Sequence, residues 1–180
     1  MESILSDYTK EVIARASKIK MLVFDVDGVL SDGRIIYTNS GDELKSFNVK
    51  DGQIIKYLKE AGIKVGVITG RSSALVERRC LELKLDFFHQ GTEDKWGKIK
   101  DELGELNPDE VAYIGDDIID LKAIVSCGLG VAPFDGMSYV KDRADLVTTK
   151  SGGDGVIREV PDLILASQGK MKLGLKNLVS

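Results

Sequence analysis

Short apolar runs of strand length alternate with helical stripes along most of this sequence, and that alternation limits the fold more than any other feature. Ile4, Leu5, Tyr8, Val12, Ile13 and Ala16 recur at helical spacing ahead of the β-type run Met21-Leu22-Val23-Phe24. Two alternating segments, from Arg34 and from Glu43, flank the turn-forming cluster Asn39-Ser40-Gly41-Asp42 and predict a β-hairpin. Beyond it the pattern repeats. A stripe at Ile54, Ile55, Leu58 and Ala61 ends at Gly62 before a strand over 64–68, and a helix from about Ser72 precedes a strand over 86–88. A stripe from Trp96 to Leu106 leads to a strand over 111–114 and a helix over 117–125 to one over 128–131. A last strand near 145–147 precedes a helix over about 155–167, where Pro161 implies a kink or a fresh first turn. Repeated strand-helix units predict an α/β fold with a parallel sheet covered on both faces.

At 180 residues the chain fits one domain, 1–180. A net charge of −4 with no dominant basic run argues against a nucleic-acid partner, and the strand-sized apolar runs argue against a membrane span. With no secretory-signal layout at its start, a cytoplasmic location is expected. Cys80 and Cys127, far apart and in no metal-ligand spacing, are expected to be buried free thiols. The single histidine, His89, excludes a multi-histidine metal site and reads as a satisfied polar group at a strand end.

In a parallel sheet of this kind ligands bind at the carboxyl ends of the strands, and the polar residues gather there. Asp25 and Asp27 follow the first strand two positions apart, where an extended segment puts both carboxylates on one side. Alone, such a pair reads as a solvated turn before Gly28. The carboxylates Asp116, Asp117 and Asp120 after another strand change that reading. Repelling carboxylates are tolerable together if one holds a proton or if a divalent cation neutralises them, and oxygen ligands with no histidine or thiolate cluster favour a hard cation such as magnesium. Thr69, Gly70 and Arg71 lie between a strand and a helix, where a hydroxyl and backbone N–H groups can converge on an anion such as phosphate or, taken alone, form a plain helix cap. Lys95, just before the Trp96 stripe, reaches the same edge.

In this order, the D-x-D-G-V at Asp25 to Val29, Thr69, Lys95 and the G-D-D-x-x-D at Gly115 to Asp120 resemble the haloacid dehalogenase superfamily of phosphotransferases. The resemblance implies a three-layer Rossmann-like sandwich in which Asp25 is the nucleophile and Asp27 the general acid and base. It implies magnesium held by Asp25, the main-chain carbonyl of Asp27 and Asp116, with Asp117 and Asp120 in support. Thr69, Gly70 and Lys95 would bind the phosphoryl group. Only the hairpin flap, about 33–48, and one helix separate Asp27 from Thr69, which leaves no room for a cap domain. Water must then be excluded in another way, and a neighbouring subunit is the economical one.

Further matches at Gly28 to Gly33, Phe47 to Gly52, Ile68 to Arg71 and Gly152 to Glu159 bring the chain close to the 3-deoxy-D-manno-octulosonate 8-phosphate phosphatases and their sialic-acid-type relatives. That group implies hydrolysis of a sugar acid phosphate in lipopolysaccharide precursor synthesis, by a homotetramer whose sites a neighbouring subunit completes. A tail over 169–180 is expected either to border that neighbour's site or to be a loose end. Arg71, Arg78 and Arg79 are candidates for gripping the substrate carboxylate. Arg71 favours the eight-carbon acid over a nine-carbon one. A receiver domain would need its acidic pair first and a single aspartate in the middle, the reverse of this order. A non-catalytic assembly module would not need both Asp25 and Asp27.

Overall fold

The structure is a computed structural model and describes residues 2–171. In chain order it begins with α1 (Glu2–Leu5), α2 (Lys10–Ala16), β1 (Met21–Phe24), β2 (Ile36–Tyr37), β3 (Glu43–Leu44) and α3 (Val49–Glu60). Then come β4 (Lys64–Ile68), α4 (Ala74–Glu82), β5 (Phe87–His89), α5 (Lys95–Glu102) and β6 (Val111–Ile114). The chain continues through α6 (Leu121–Ser126), β7 (Leu129–Ala132), α7 (Ser138–Lys141), β8 (Leu146–Val147) and α8 (Val156–Ser167). Of the tail expected over 169–180, residues 172–180 lie outside the described residues.

Among the described residues, six strands make one parallel sheet in the order β5-β4-β1-β6-β7-β8. Strand alternation sends β1 side chains to opposite faces. Leu22 and Phe24 join Val65, Val67, Ala112 and Ile114 in a core closed by Ile55 and Leu58 of α3 and Val160 and Ile164 of α8. Met21 and Val23 join Ile68, Val111 and Tyr113 in a second core under Ile99 of α5 and Ile124 of α6. Burial of each such side chain contributes about 1.5–3 kcal/mol, so both faces of the sheet are held. This is the expected three-layer α/β sandwich.

From β1 the chain goes first to β4 on one side and later to β6 on the other, so the crevice beyond the carboxyl end of β1 is the topological switch point. Between β1 and β4 lie a tight turn at Val26–Leu30, the antiparallel hairpin of β2 and β3, and α3; no cap domain is inserted among the described residues. The hairpin turn closes through Thr38 N donating to Asp42 O at 2.9 Å.

Four elements differ from expectation, one of them α7, which no periodic pattern announces. The opening helix breaks at 6–9, because the Thr9 hydroxyl accepts from Val12 N and starts α2 afresh. The segment after Asp117 opens with a 3₁₀ turn at Ile118–Asp120 before α6. Helix α8 runs through Pro161 without interruption. Both cysteines are buried and free, and no described helix is long and apolar enough to cross a membrane.

Candidate active site

β1 ends in the register Phe24 beside Val67 and Ile114, so Asp25 leaves the sheet between the ends of β4 and β6. Its N–H donates to Ile114 O at 3.0 Å, which locks the backbone, and Val26 N donates back to Asp25 Oδ1 at 2.7 Å. The chain then turns sharply at Gly28, whose φ is +85°. A Cβ there would collide with the Asp116 carboxylate, so glycine is what lets the β1 loop meet the β6 loop.

Asp25, Asp27, Gly28, Gly33, Thr69, Gly70, Arg71, Asp116, Asp117 and Ile119 line one cleft of about 260 Å³. A larger hollow of about 510 Å³ lies against α8, beside Tyr8 and Thr149. There Glu159 is already occupied by Thr149, Lys150 N and Tyr8, and among the described residues no acidic trio converges in it. The converging carboxylates belong to the cleft at β1.

Beneath it lies a buried ion network. Lys95 opens α5, 1% exposed, and its ammonium reaches Asp25 Oδ2 at 2.8 Å and Asp120 Oδ1 at 2.6 Å. Asp120 Oδ1 also accepts from Tyr113 OH at 2.5 Å, while Oδ2 accepts from the N–H groups of Asp116 and Asp117 at 3.0 and 3.1 Å. Both oxygens are therefore engaged, and Asp120 braces Lys95 and the β6 loop. Burial opposes the charge of Lys95, but Asp25 and Asp120 outweigh it and raise its pKa. Burial, with Asp120 adding to it, raises the Tyr113 pKa well above its usual value.

Lys95 does not balance three carboxylates. Oxygens of Asp25, Asp116 and Asp120 lie within 4.8 Å of one another, and Asp116 Oδ1 is buried with no hydrogen-bond partner. Burial raises the Asp25 pKa to about 6, the Lys95 charge opposing it, and burial with the Asp120 and Asp25 charges raises Asp116 to about 7. Crowded, under-partnered carboxylate oxygens suit a hard divalent cation, so the residues present fit such an ion.

The remaining sequence candidates divide. Thr69 is buried at the cleft with Gly70 beside it; its N–H donates to His89 O at 2.9 Å. Asp117 Oδ1 is taken up by Ile118 N at 2.6 Å and by Tyr139 OH, and the Tyr139 hydrogen bond lowers the Asp117 pKa. Arg71 reaches Asp27 Oδ2 at 3.5 Å and Glu43 Oε1 at 2.9 Å. Arg78, by contrast, is exposed and pairs with Glu82 at 3.0 Å, and Arg79 lies over the Phe47 ring, so neither lines the cleft. His89 meets Glu102 at 3.0 Å, as a satisfied strand-end group should.

Sequence reasoning missed Glu43, Lys45 and Tyr113. Lys45 from the flap pairs with Asp27 Oδ1, its side chain 1% exposed. The two-residue alternation from Glu43 to Phe47 was a usable signal for this inward face. Nothing in the sequence linked Tyr113 to Asp120.

A buried carboxylate at the switch point, an unpartnered carboxylate oxygen beside it and a buried lysine paired with the first define a site that suits a phosphatase of the α/β type. Sequence models of haloacid dehalogenase-like hydrolases match residues 41–128 and 99–160, and the chain belongs to that family. It is 47% identical over 163 residues to the 3-deoxy-D-manno-octulosonate 8-phosphate phosphatase KdsC of Escherichia coli K12, covering 89% of this chain and 87% of that one. A crystal structure of 3-deoxy-D-manno-octulosonate 8-phosphate phosphatase from Moraxella catarrhalis, in complex with magnesium, phosphate and KDO, superposes with a TM-score of 0.91. It is 40% identical, over 95% of this chain and 99% of that one. The Yersinia pestis phosphatase of the same name superposes with a TM-score of 0.89 at 43% identity, over 92% and 90% of the two chains.

Proposed function

We propose that this chain is a single-domain, magnesium-dependent phosphatase that hydrolyses 3-deoxy-D-manno-octulosonate 8-phosphate to the free sugar acid and phosphate, a step in lipopolysaccharide precursor synthesis. The substrate reading rests on 47% identity, over most of both chains, to a phosphatase of that name. The chemical reading rests on one observation: Asp25 is buried and tied to Lys95, with a carboxylate oxygen within 4.8 Å of one from Asp116, a residue whose Oδ1 is buried without a hydrogen-bond partner.

Asp25 attacks phosphorus, and an aspartyl-phosphate forms as the sugar oxygen leaves. Asp27 gives a proton to that oxygen, then takes one from the water that hydrolyses the intermediate. Thr69, Gly70 and Lys95 hold the phosphoryl oxygens, and Asp120 holds Lys95. Magnesium would be held by Asp25, the carbonyl of Asp27 and Asp116, and when bound supplies positive charge for the transferring phosphoryl group. Arg71 grips the carboxylate of the sugar acid, its position at the cleft rim beside Asp27 supporting that role. The protein works as a homotetramer in which a second copy covers the uncapped cleft.

The test is phosphate release with magnesium from the eight-carbon acid phosphate, from a nine-carbon acid phosphate and from simple sugar phosphates. A preference of about tenfold or more for the eight-carbon acid is expected, and equal, feeble rates on all sink the substrate assignment. Asp25→Asn should lower turnover by at least about 10³-fold. Full turnover in that variant sinks the mechanism.

A further inference from the structure

The flap reaches the cleft through one face of its second arm. Alternate residues of an extended segment share a side, and here Glu43, Lys45 and Phe47 are half-buried while Leu44 and Ser46 are exposed. Phe47 packs on the core and lies 5.6 Å from the Arg79 guanidinium, which anchors the arm two residues from Lys45. Lys45 and the Ser31 hydroxyl, the latter at 3.3 Å, both engage Asp27 Oδ1. Among the described residues Asp27 Oδ2 meets Arg71 alone, at 3.5 Å, the outer edge of hydrogen-bond range. Arg71 in turn is held by Glu43 at 2.9 Å.

Burying a lysine is costly unless it is paired. A tether for the flap does not require one, since Phe47 already supplies the anchor. What Lys45 adds is an asymmetry between the two oxygens of one carboxyl group.

We propose that Lys45 is a positioning residue for proton transfer by Asp27: together with Ser31 it occupies Oδ1, so that the proton given to the leaving group resides on Oδ2. This rests on the reading of Asp25 as nucleophile and Asp27 as proton donor. In the first step an Asp25 oxygen bonds to phosphorus while the bond from phosphorus to the sugar oxygen breaks. The electron pair of the broken bond stays on the sugar oxygen, which takes the proton from Asp27 Oδ2. Asp27, now a carboxylate, accepts a proton from the water that attacks the aspartyl-phosphate, and inorganic phosphate leaves with Asp25 restored. Lys45 exchanges no proton in either step.

Leaving-group dependence isolates this role, because kcat/KM covers the steps through departure of the leaving group. A sugar alkoxide needs a proton to depart, and p-nitrophenolate does not. Lys45→Met should lower kcat/KM on the sugar acid phosphate by about 10–10²-fold, at least tenfold more than on p-nitrophenyl phosphate, and Lys45→Arg should recover part of the loss. Activity on the aryl ester reports that the variant is folded. Equal losses on both esters, or no loss on the sugar ester, overturn the proposal. Asp27→Asn is the control and should show the same dependence on leaving group. If it instead loses equally on both esters, the proton-donor reading of Asp27 has failed and the role of Lys45 falls with it.

Discussion

Asp116 shows most directly what it costs to set carboxylates side by side away from water. Its pKa is raised to about 7 and that of Asp25 to about 6, from an ordinary 3.8, with burial the largest cause in both. Without a divalent cation, between about pH 4 and 7 the folded chain holds protons on these groups that the unfolded chain has released. Their contribution to stability is therefore fully present near pH 4 and is lost as pH rises through 6 and 7. A bound divalent cation needs the deprotonated carboxylates, so the rise in Tm on adding magnesium should be small at pH 5 and large at pH 8. Asp116→Asn should melt at or above wild type without magnesium at pH 8 and lose the magnesium-dependent rise; an undiminished rise in that variant removes Asp116 from the cation site. At this scale Asp25, Thr69 and Asp116 were legible as candidates because polar types stood at strand ends, and Lys95 because it stood at the start of a helix at the same edge. Their connections were not: Lys95 meets Asp120 across 25 residues and Asp27 meets Lys45 across 18, distances that only the folded sheet brings together.

Helix α8 depends on a residue from another element. Asp51 of α3, fully buried, accepts from Gly155 N at 3.2 Å and from Arg158 N at 2.8 Å, and so serves the first turn of α8 in place of a local cap. Asp51→Ala should cost about 1–2 kcal/mol, and at about 2–4 °C per kcal/mol for a chain of this size the loss is measurable by thermal denaturation. Asp51→Asn, which keeps one accepting oxygen, should fall between; a variant melting with wild type would show that α8 is held by packing alone. The elements themselves were largely readable, since apolar spacing marks them. The errors came where a side chain overrode spacing. Thr9 restarts the first helix, and Asp120 turns back to the N–H groups of Asp116 and Asp117 and forces a 3₁₀ turn. The four residues of α7 are too few to leave a periodic trace.

For the whole molecule, alternation of strand and helix announced a parallel sheet with chemistry at one edge, whereas the strand order was not encoded in any local pattern. What the sheet leaves open is the roof of the cleft. Beside it the flap exposes Ile36, Tyr37 and Leu44, at 46, 64 and 50%, and Ile118 and Phe134 are exposed at 64 and 61%. Exposed large apolar side chains of this kind suit contact with another molecule. The proposed homotetramer supplies one in a second copy of the chain, which would also shield the cleft from bulk solvent. Light scattering should then give four times the 19.7 kDa of the chain. Replacing Ile36 and Tyr37 together by aspartate should shift the mass downward, since charges at the core of an interface are desolvated without partners. Because Ile36 and Tyr37 do not line the cleft, the same variant should lose kcat/KM on the sugar acid phosphate only through the lost neighbour. A concentration series separates the two effects: activity that returns as the variant is concentrated into the larger species supports completion of the site by a second copy. A wild-type chain that is monomeric at full activity removes the neighbour from the mechanism.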